Sequence, residues 1–477
     1  MKKSKFLYPF LFSLFALGAC SSDDDSGDPD PGKEPVNPAP VEAQPINLAD
    51  YDNGTGVMMQ AFYWDVEPRH EWWDVISEKI EGWANAGVNR IWLPPASKGQ
   101  SGGYSMGYDP SDYYDLGEYL QHETTETRFG SREELDNLIA AAHSNEIEVI
   151  ADIVLNHNSG GGKEWNPYVQ DSTYTLFDEA HGNASGMFNR TWEDFHPNST
   201  SEYDSGYFLG QDLDHDVQHV QDWLWLNENS VAKYYKNNVG FDGWRFDFVK
   251  GFAPWVVKDW MESVGGFGVA ELWDGNPAVL ENYIEKTGIS VFDFSTFYKL
   301  DEALDRYNDL TYLTQDMLWK THPEKAVTFT ANHDTEKDSN EDNFISKENK
   351  LMAYAYILTH PGYPTIFYSD YENPAFQSQL KQLMLINNSI ANGEVEVLFA
   401  DNDEYIMKRA RTTNNPGLIL YLNLNGNIKF KEVDTDWNMA PLMDYSGNID
   451  YTPTTDENGN VSLRAPANGY AIYSIMK

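Results

Sequence analysis

The feature that most limits how this chain can fold is a set of four short strand-like runs that each end in polar residues. They span residues 149–157, 241–247, 267–274 and 326–334. Three of the runs are largely apolar before their polar ends, as buried strands of a parallel sheet are. All four carry their polar residues at the carboxyl-terminal end, where barrel enzymes assemble their active sites. Core packing alone does not explain why all four runs carry their polar residues at the same end. The runs therefore predict a parallel α/β sheet whose carboxyl-terminal edge holds the functional site.

The run from Trp244 to Asp247 is the most informative of the four. Its polar and apolar residues alternate, which is the period-two pattern of a strand. Arg245 and Asp247 are two residues apart and therefore point to the same face. A neighbouring cation keeps a carboxylate ionised, as a carboxylate nucleophile must be. Taken alone, the same pair also fits a structural ion pair inside a sheet.

Strands and helices alternate along the chain between these runs. Residues 131–134 form a capping box, which predicts the start of a helix whose apolar face lies between Leu135 and Ala142. Such alternation favours a parallel α/β architecture. Eight strands are predicted, beginning near Val57, Arg90, Glu148, Phe241, Gly268, Ser290, Ala326 and Pro364.

In chain order, the four runs resemble the four signature regions of the α-amylase family of retaining glycoside hydrolases. Residues 58–65, 91–95 and 102–110 are similar to segments of the liquefying α-amylases of archaea and bacteria. The archaeal branch is the most similar through residues 244–247 and 249–251. The resemblance extends from about residue 55 to beyond residue 370. It implies an α/β fold, a (β/α)8 TIM barrel with a B domain inserted after the third strand and a C-terminal antiparallel β-sandwich domain.

Changes in composition indicate where the domains begin and end. An irregular stretch rich in Gly, Asn, Asp and aromatic residues interrupts the third unit. After about residue 393, short strands alternate with turn residues, which indicates an all-β domain. The barrel is therefore predicted at residues 48–157 and 216–392, the B domain at 158–215 and the C-terminal domain at 393–477.

The N-terminus has the pattern of a bacterial lipoprotein signal peptide. A basic start and a mostly apolar run lead to small residues before Cys20, so residues 1–19 are predicted to be removed and Cys20 to carry a lipid. Residues 20–47 are acidic and rich in Pro, and they read as a disordered tether. The acidic run resembles a surface-export signal of Bacteroidetes lipoproteins, although a solvated linker has the same composition. The expected location is the outer membrane, facing the cell surface or alternatively the periplasm. An ordinary signal peptide with an incidental cysteine is the other interpretation.

Composition excludes several classes of function. Cys20 is the only cysteine, so an intrachain disulfide, a cysteine nucleophile and a thiolate metal site in the folded body are excluded. The net charge is −42 at pH 7, and residues 51–477 alone carry −38. A body this acidic repels nucleic-acid phosphates but is compatible with a neutral glucan. The charge also fits salty surroundings. No glycine-rich nucleotide loop follows a strand.

The resemblance assigns the catalytic groups residue by residue. Retention requires two carboxyl groups about 5–5.5 Å apart, one a nucleophile and the other an acid/base. Asp247 matches the nucleophile, and Arg245, which is also assigned to the substrate site, would keep it ionised. Glu271 matches the acid/base, so its pKa should be raised by apolar surroundings or neighbouring carboxylates. Asp334 matches the third family carboxylate, which holds sugar hydroxyls and helps to distort the ring.

Further matches imply substrate-binding residues. His157 and His333 match the histidines that hydrogen-bond the sugar at the cleavage subsite, and Tyr108 matches the aromatic platform beneath that sugar. Lys250 matches a polar contact on the leaving-group side. Trp273, beside the predicted acid, either lines the cleft or simply packs.

The resemblance also implies a structural calcium ion that joins the B domain to the barrel. Calcium takes six to eight oxygen ligands, backbone carbonyls included. Two of the implied ligands are next to predicted site residues: Asn156 precedes His157, and Gly251 follows Lys250. The ion would therefore brace two active-site strands. Turn-forming aspartates in a loop are the alternative reading of the two acidic ligands. The implied ligands are Asn156, Asp204, the carbonyl of Gly206, Asp212 and the carbonyl of Gly251.

One departure from the archaeal pattern concerns a second metal. The archaeal enzymes carry a zinc site that uses cysteine and histidine in the B domain. His196 matches the histidine, but Asp214 stands where the cysteine is expected. No zinc is therefore expected. The segment around Asp204 is also one residue shorter than in those enzymes. Asp204 is therefore the implied calcium ligand whose alignment is least well defined.

Three functions compete on this sequence. The favoured one is an endo-acting α-amylase, a monomer that cleaves internal α-1,4 links in starch, glycogen or maltooligosaccharides. A maltogenic, exo-acting or transglycosylating member of the same family would share the catalytic residues and differ in loops around the cleft. A non-catalytic glucan-binding lipoprotein is the third, and the presence of every catalytic match disfavours it.

Overall fold

The computed structural model describes residues 43–51, 54–198, 209–336 and 345–477. Its centre is a closed barrel of eight parallel strands, in which each strand pairs with its neighbours in sequence and the first closes the ring against the last. The strands are β1 (Val57–Gln60), β2 (Val88–Trp92), β3 (Glu148–Ile153), β4 (Gly243–Phe246), β5 (Phe267–Ala270), β6 (Ser290–Phe292), β7 (Ala326–Thr328) and β8 (Tyr363–Phe367).

Most residues of the barrel strands are buried on both faces. Side chains fill the inside of the ring and helices cover its outside, which is why these strands are mostly apolar runs rather than alternating ones. All eight predicted strands are present, and each predicted start lies within two residues of the observed one. The prediction of a (β/α)8 barrel is confirmed.

Helices lie between the strands along the chain. The capping box at residues 131–134 is present: the Glu134 N–H donates to Ser131 Oγ at 3.3 Å, and the Ser131 N–H donates to Glu134 Oε2 at 2.6 Å. The predicted apolar face of that helix is buried. The α-helices are Trp72–Ser77, Ile80–Asn85, Arg132–Ser144, Gln218–Gln221, Val231–Tyr234, Pro254–Val264, Pro277–Thr287, Phe294–Asp301, Lys350–Thr359, Tyr368–Glu372 and Gln377–Ile390. Wider π turns continue three of them at Asp222–Leu226, Tyr235–Val239 and Glu302–Arg306.

The segment between β3 and β4 carries its own short strands. His157–Asn158 pairs antiparallel with Gln211–Asp212, which ties the far end of the segment to the start. Between them lies an antiparallel hairpin of Gly162–Asn166 and Asp171–Leu176. The described residues therefore show a segment that is inserted directly after the third barrel strand.

The C-terminal region is antiparallel. Val395–Ala400 (β9), Glu404–Arg409 (β10), Leu418–Asn423 (β11), Leu442–Asp444 (β13) and Gly469–Ile475 (β15) form a sheet in the order β9-β10-β11-β15-β13, and Lys429–Asp434 (β12) pairs with Asn460–Ala465 (β14). The two sheets share a second apolar core, to which Ile419, Tyr421, Val433 and Leu463 contribute. The predicted C-terminal antiparallel domain is confirmed.

The first described residues are attached to the last ones. The Gln44 N–H donates to the Lys477 carbonyl at 2.6 Å, and the Lys477 N–H donates back to the Gln44 carbonyl at 2.8 Å. The Ile46 N–H donates to the Tyr445 hydroxyl at 2.8 Å. Residues 44–46 therefore belong to the edge of the C-terminal sheet.

Several sequence predictions concern residues outside the described ranges. The signal peptide, the lipidated Cys20 and most of the tether lie there, as do the predicted calcium ligands Asp204 and Gly206. Among the described residues, none of the helices combines the length and the apolar character that a membrane crossing requires.

Candidate active site

The carboxyl-terminal ends of the barrel strands bring the predicted catalytic residues to one opening. Asp247 directly follows β4, Glu271 directly follows β5, and Asp334 lies beyond β7. His157 follows β3 and His333 follows β7. Residues that are far apart in sequence are therefore neighbours in space, because all parallel strands of a barrel end on the same face.

Arg245, on β4, is the electrostatic centre of this opening. Its Nη1 lies 2.7 Å from Asp247 Oδ1 and 2.8 and 3.0 Å from the two Asp152 oxygens. Its Nη2 lies 2.5 Å from Glu271 Oε1, an ion-pair contact without hydrogen-bond geometry. Burial by itself lowers the pKa of Arg245, but Asp152 and the other carboxylates raise it well above its ordinary value. One buried cation thus faces three acids.

Asp152, on β3, is a site residue that the sequence analysis did not assign. Its Oδ2 accepts hydrogen bonds from Trp92 Nε1 at 3.0 Å and from the Tyr108 hydroxyl at 2.8 Å. Burial raises the pKa of Asp152 to about 7, and the Arg245 guanidinium opposes that rise. The acid connects Arg245 to the aromatic wall of the site. An acidic residue inside an otherwise apolar run is the signal that could have identified it.

Glu271 has the electrostatics expected of an acid. Burial raises its pKa from 4.5 to about 8; Arg245 opposes this rise, while the nearby Asp247 and Asp334 add to it. Its Oε2 accepts a hydrogen bond from the Phe248 N–H at 3.2 Å. Phe248 has a φ of 42°, which is rare for a bulky residue, and in that conformation its N–H reaches Glu271. Burial and the neighbouring carboxylates therefore favour the protonated form of Glu271.

Aromatic rings form one wall of the site. The rings of Tyr108 and His333 stack with centroids 5.2 Å apart, and Trp64 stacks beside both, at 5.9 Å from Tyr108 and 6.1 Å from His333. Gln60 Nε2 donates to His333 Nδ1 at 3.0 Å, which leaves the ring proton on Nε2, 3.3 Å from Asp334 Oδ2. Burial lowers the pKa of His333 well below its ordinary value. His333 is therefore a neutral donor aimed at Asp334.

His157 contacts the protein through both ring nitrogens. Its Nε2 donates to the Tyr108 carbonyl at 2.9 Å, and its Nδ1 lies 3.3 Å from Asn156 Nδ2. The residue is fully buried. In this structure His157 therefore holds the backbone of the Tyr108 loop, and the predicted contact of His157 with a sugar stays a prediction.

Lys250 and Trp273 lie at the rim beside β4 and β5. Lys250 Nζ is 3.6 Å from Asp274 Oδ2, and its side chain is 45% exposed. Trp273 Nε1 donates to the Tyr298 hydroxyl at 2.6 Å, and its ring packs on Phe294 with centroids 4.7 Å apart. Lys250 is free to reach a ligand, whereas Trp273 is held by packing.

Three predicted calcium ligands lie together where the inserted segment meets the barrel. Asp212 is paired in the short sheet that begins one residue after Asn156, and both residues are buried. Gly251 packs so closely on Asn156 that a Cβ at this position would overlap the Asn156 amide oxygen. Only glycine permits this close approach of the backbone that follows β4 to the amide that follows β3. Among described residues, no three His, Cys, Asp or Glu side chains form a metal-binding group.

The residues at the predicted zinc positions are also neighbours. His196 Nε2 lies 3.8 Å from Asp214 Oδ1, and both side chains are buried. A histidine and a carboxylate therefore face each other where the archaeal pattern has a histidine and a cysteine. The absence of zinc stays a prediction.

Comparison with known proteins gives consistent matches along the chain. Residues 72–372 match the family described as α-amylase, catalytic domain, and residues 418–474 match the α-amylase C-terminal family. The α-amylase of Bacillus licheniformis is 30% identical over 420 residues, which cover 75% of this chain and 81% of that protein. The cytoplasmic α-amylase of Escherichia coli is 27% identical over 88% of this chain and 98% of its own length. The glucan 1,4-α-maltohexaosidase of a Bacillus strain is 28% identical over 74% of this chain and 80% of its own length.

Solved structures match the fold. An α-amylase of Geobacillus thermoleovorans, solved with acarbose, has a TM-score of 0.66 at 19% identity over 88% of this chain and 98% of that one. A three-domain cyclomaltodextrin glucanotransferase has a TM-score of 0.66 at 21% identity over 89% of this chain and 100% of its own length. At these identities, the likeness describes the fold alone.

Proposed function

The chain belongs to the α-amylase family of glycoside hydrolases, and we propose that it is an endo-acting α-amylase. Its substrates would be the internal α-1,4 links of starch, glycogen and maltooligosaccharides. The observation that carries this proposal is that the carboxyl groups of Asp247 and Glu271 both contact one buried arginine. Asp247 lies 2.7 Å and Glu271 2.5 Å from Arg245, and burial raises the pKa of Glu271 to about 8.

This arrangement supports a retaining mechanism. Both carboxyl groups contact the same guanidinium, which fits the separation of about 5–5.5 Å that retention requires. Asp247 attacks the anomeric carbon while Glu271 gives its proton to the leaving glycosidic oxygen, and a glycosyl–Asp247 ester forms. Glu271, now ionised, takes a proton from water, which attacks the same carbon and releases Asp247.

The surrounding residues position the sugar in this scheme. Tyr108 and the neutral His333 offer an aromatic face and an Nε2–H donor, and Asp334 offers an acceptor for sugar hydroxyls. Asp152 holds Arg245 and Tyr108 together without needing to touch the substrate. Lys250 is exposed at the rim beside Glu271, on the leaving-group side.

A time course of products from soluble starch tests the function. Iodine staining and new reducing ends would be followed together in the same reaction. Internal cutting predicts a fast loss of iodine colour with few new ends. Slow colour loss with one dominant short product would replace the proposal by the maltogenic or exo-acting alternative. No new ends at all would support the glucan-binding alternative and contradict an enzyme.

We also propose a structural calcium ion held by Asn156, Asp212 and the Gly251 carbonyl, with Asp204 and Gly206 as further ligands. The close approach of Gly251 to Asn156 and the burial of the Asp212 carboxylate support this proposal. Bound there, the ion would hold the inserted segment against the ends of β3 and β4. Asn156 precedes His157 and Gly251 follows Lys250, so the ion would also stabilise the geometry of the active site.

Removal of calcium should lower the melting temperature. A ligand at 100 times its dissociation constant stabilises the native state by about 2.7 kcal/mol, which corresponds to a fall of about 3 °C for a protein of this size when it is removed. Scanning calorimetry with and without a chelator measures the shift, and added Ca²⁺, but not Mg²⁺, should reverse it. Asp212→Asn should make the protein insensitive to chelator, whereas Asp171→Asn on the exposed hairpin should not. An unchanged melting temperature in chelator would rule the site out.

The lipid anchor at Cys20 and an outer-membrane location with the enzyme facing the cell surface are further proposals. The basic start, the apolar run and the small residues before Cys20 support them. Cells that express the chain should incorporate labelled palmitate into it, and Cys20→Ser should abolish the label. A protein that is labelled equally in both forms would contradict the anchor.

A further inference from the structure

We propose that a polar pocket beside the catalytic opening binds outer glucosyl residues of a long α-glucan, with the exposed ring of Tyr104 as its stacking platform. This inference rests on the proposed function and names a second place where the same substrate is held. The pocket has a volume of about 530 Å³, within the range of about 300–1,000 Å³ that ligand pockets occupy. Its lining includes Glu67, Arg69, His70, Tyr104, His122 and Glu123.

Tyr104 is built as a rigid platform. Its side chain is 69% exposed, and the Arg69 guanidinium lies 4.2 Å from the ring centroid, so one face is covered by a cation. Its backbone carbonyl accepts a hydrogen bond from Arg128 Nη1 at 3.1 Å, and Arg128 Nε and Nη2 both donate to the Val66 carbonyl. An exposed aromatic ring that is fixed before binding loses little freedom when a sugar ring stacks on it.

The pocket floor offers hydrogen-bond acceptors with defined orientations. His70 Nδ1 lies 2.8 Å from the Thr127 carbonyl, which only accepts, so Nδ1 carries the proton and Nε2 is an acceptor. Ser111 Oγ donates to the Gly182 carbonyl and therefore accepts from His122 Nε2 at 2.9 Å, which leaves His122 Nδ1 as an acceptor. The carboxylates of Glu67 and Glu123 add further acceptors. Such a lining suits a neutral ligand with many hydroxyl donors and disfavours an anion.

Gly103 allows two parts of the pocket lining to lie close together. At Gly103, a Cβ would lie 2.7 Å from the His70 ring, so glycine lets the loop that carries Tyr104 lie directly against that histidine. The acceptors and the platform therefore belong to one site rather than to two separate surfaces.

Two loops carry residues of both the pocket and the catalytic opening. The loop after β1 carries Trp64 at the site and Arg69 at the pocket, and the loop after β2 carries Tyr104 at the pocket and Tyr108 at the site. Four residues span at most about 14 Å, so Tyr104 lies a few sugar rings from Tyr108. In the ring of strands, β1 lies directly across from β5, whose end carries Glu271. The pocket is therefore on the side of the retained glycosyl residue, away from the predicted proton donor.

Binding to an inactive chain separates this inference from the question of activity. In the Asp247→Asn background, we expect Tyr104→Ala to weaken the affinity for maltoheptaose about tenfold and the affinity for maltotriose less than twofold, because only the long ligand reaches the pocket. Tyr104→Trp, which keeps a ring, should restore the difference between the two ligands. Isothermal titration calorimetry with both oligosaccharides measures these affinities. In the active enzyme, Tyr104→Ala should also shift the products from soluble starch.

Phe430 provides a matched control on the C-terminal domain. Phe430 is 58% exposed and lies under the Arg464 guanidinium at 4.9 Å, so Phe430→Ala removes a similar surface aromatic that does not line the pocket. It should leave both affinities unchanged. If Tyr104→Ala binds maltoheptaose as tightly as its parent, the pocket is not a glucan subsite. If the wild-type chain fails to cleave starch but shows the Tyr104-dependent preference for the long ligand, the subsite stands and the proposed hydrolysis fails.

Discussion

Asp247→Asn should lower turnover on starch by at least about a thousandfold while the protein keeps its fold. The amide is neutral and cannot form the ester with the anomeric carbon. Asparagine has nearly the shape of aspartate, and its side-chain oxygen can still accept the hydrogen bond that Arg245 donates at 2.7 Å. Initial rates measured as reducing ends, together with circular dichroism and the melting temperature, check both halves of this prediction.

Asp242 on the same chain segment supplies the matched control. It precedes β4 at the opposite end of the barrel, where its Oδ2 accepts from the Val149 N–H and contacts His143. Asp242→Asn removes the same charge from a position that affects stability rather than chemistry, so turnover should stay within about twofold of wild type. Residual activity of Asp247→Asn above about a thousandth would show that another group performs the attack.

Arg245→Met should destabilise the protein more than any surface ion-pair variant. The methionine fills part of the volume but leaves Asp152, Asp247 and Glu271 buried together without the cation that each contacts within 2.8 Å. Removal of one partner from a buried ion pair costs about 3–5 kcal/mol. Turnover should also fall at least about a hundredfold, because the nucleophile loses its neighbouring charge.

The pH dependence of this loss distinguishes electrostatics from lost packing. Arg245 opposes the rise in the pKa of Asp152 and of Glu271, so without it both pKa values lie further above their unfolded values and the folded state binds more protons than the unfolded one. Stability therefore falls as pH rises from the unfolded pKa toward the folded one, and the variant should be less destabilised at pH 5 than at pH 8. Lys258→Met, which breaks an exposed pair with Glu262, should change stability by less than about 1 kcal/mol at both values. Equal melting shifts in the two variants would contradict the central role of Arg245.

The sequence predicts the barrel well because strands that are buried on both faces are mostly apolar. β3 is predicted at its observed start, Glu148, because four of its six residues are apolar and are buried between the helices and the barrel interior. β4 is shorter and holds Arg245, and its start is displaced from Phe241 to Gly243. The predicted domain limits stay predictions. The ends of the inserted segment are set by contacts between residues that are far apart in the sequence, and no local pattern shows such contacts.

Within the site, the sequence identifies the strand-end residues but not the contacts that join them. The signal for Asp247 and Glu271 is local, since each directly follows a strand. By contrast, the pairing of Arg245 with Asp152 and the stacking of Tyr108 on His333 depend on the curvature of the closed ring. The pocket at Tyr104 depends in the same way on how two loops fold over each other. No local pattern encodes these distances, and so the structure is needed to find them.

The pairing of Gln44 with Lys477 has a consequence for the order in which the chain is made. Among the described residues, 43–46 leave the ribosome first, but their partners on the last strand are synthesised last. At about 5–20 residues per second, this interval lasts about 20–90 s. Barrel strand β8 is complete only at Phe367, so during the last part of that time the barrel has all eight of its strands, whereas this edge of the C-terminal sheet has no partner. The edge of the C-terminal sheet that residues 44–46 join is thus among the last parts of the described chain to be completed during synthesis.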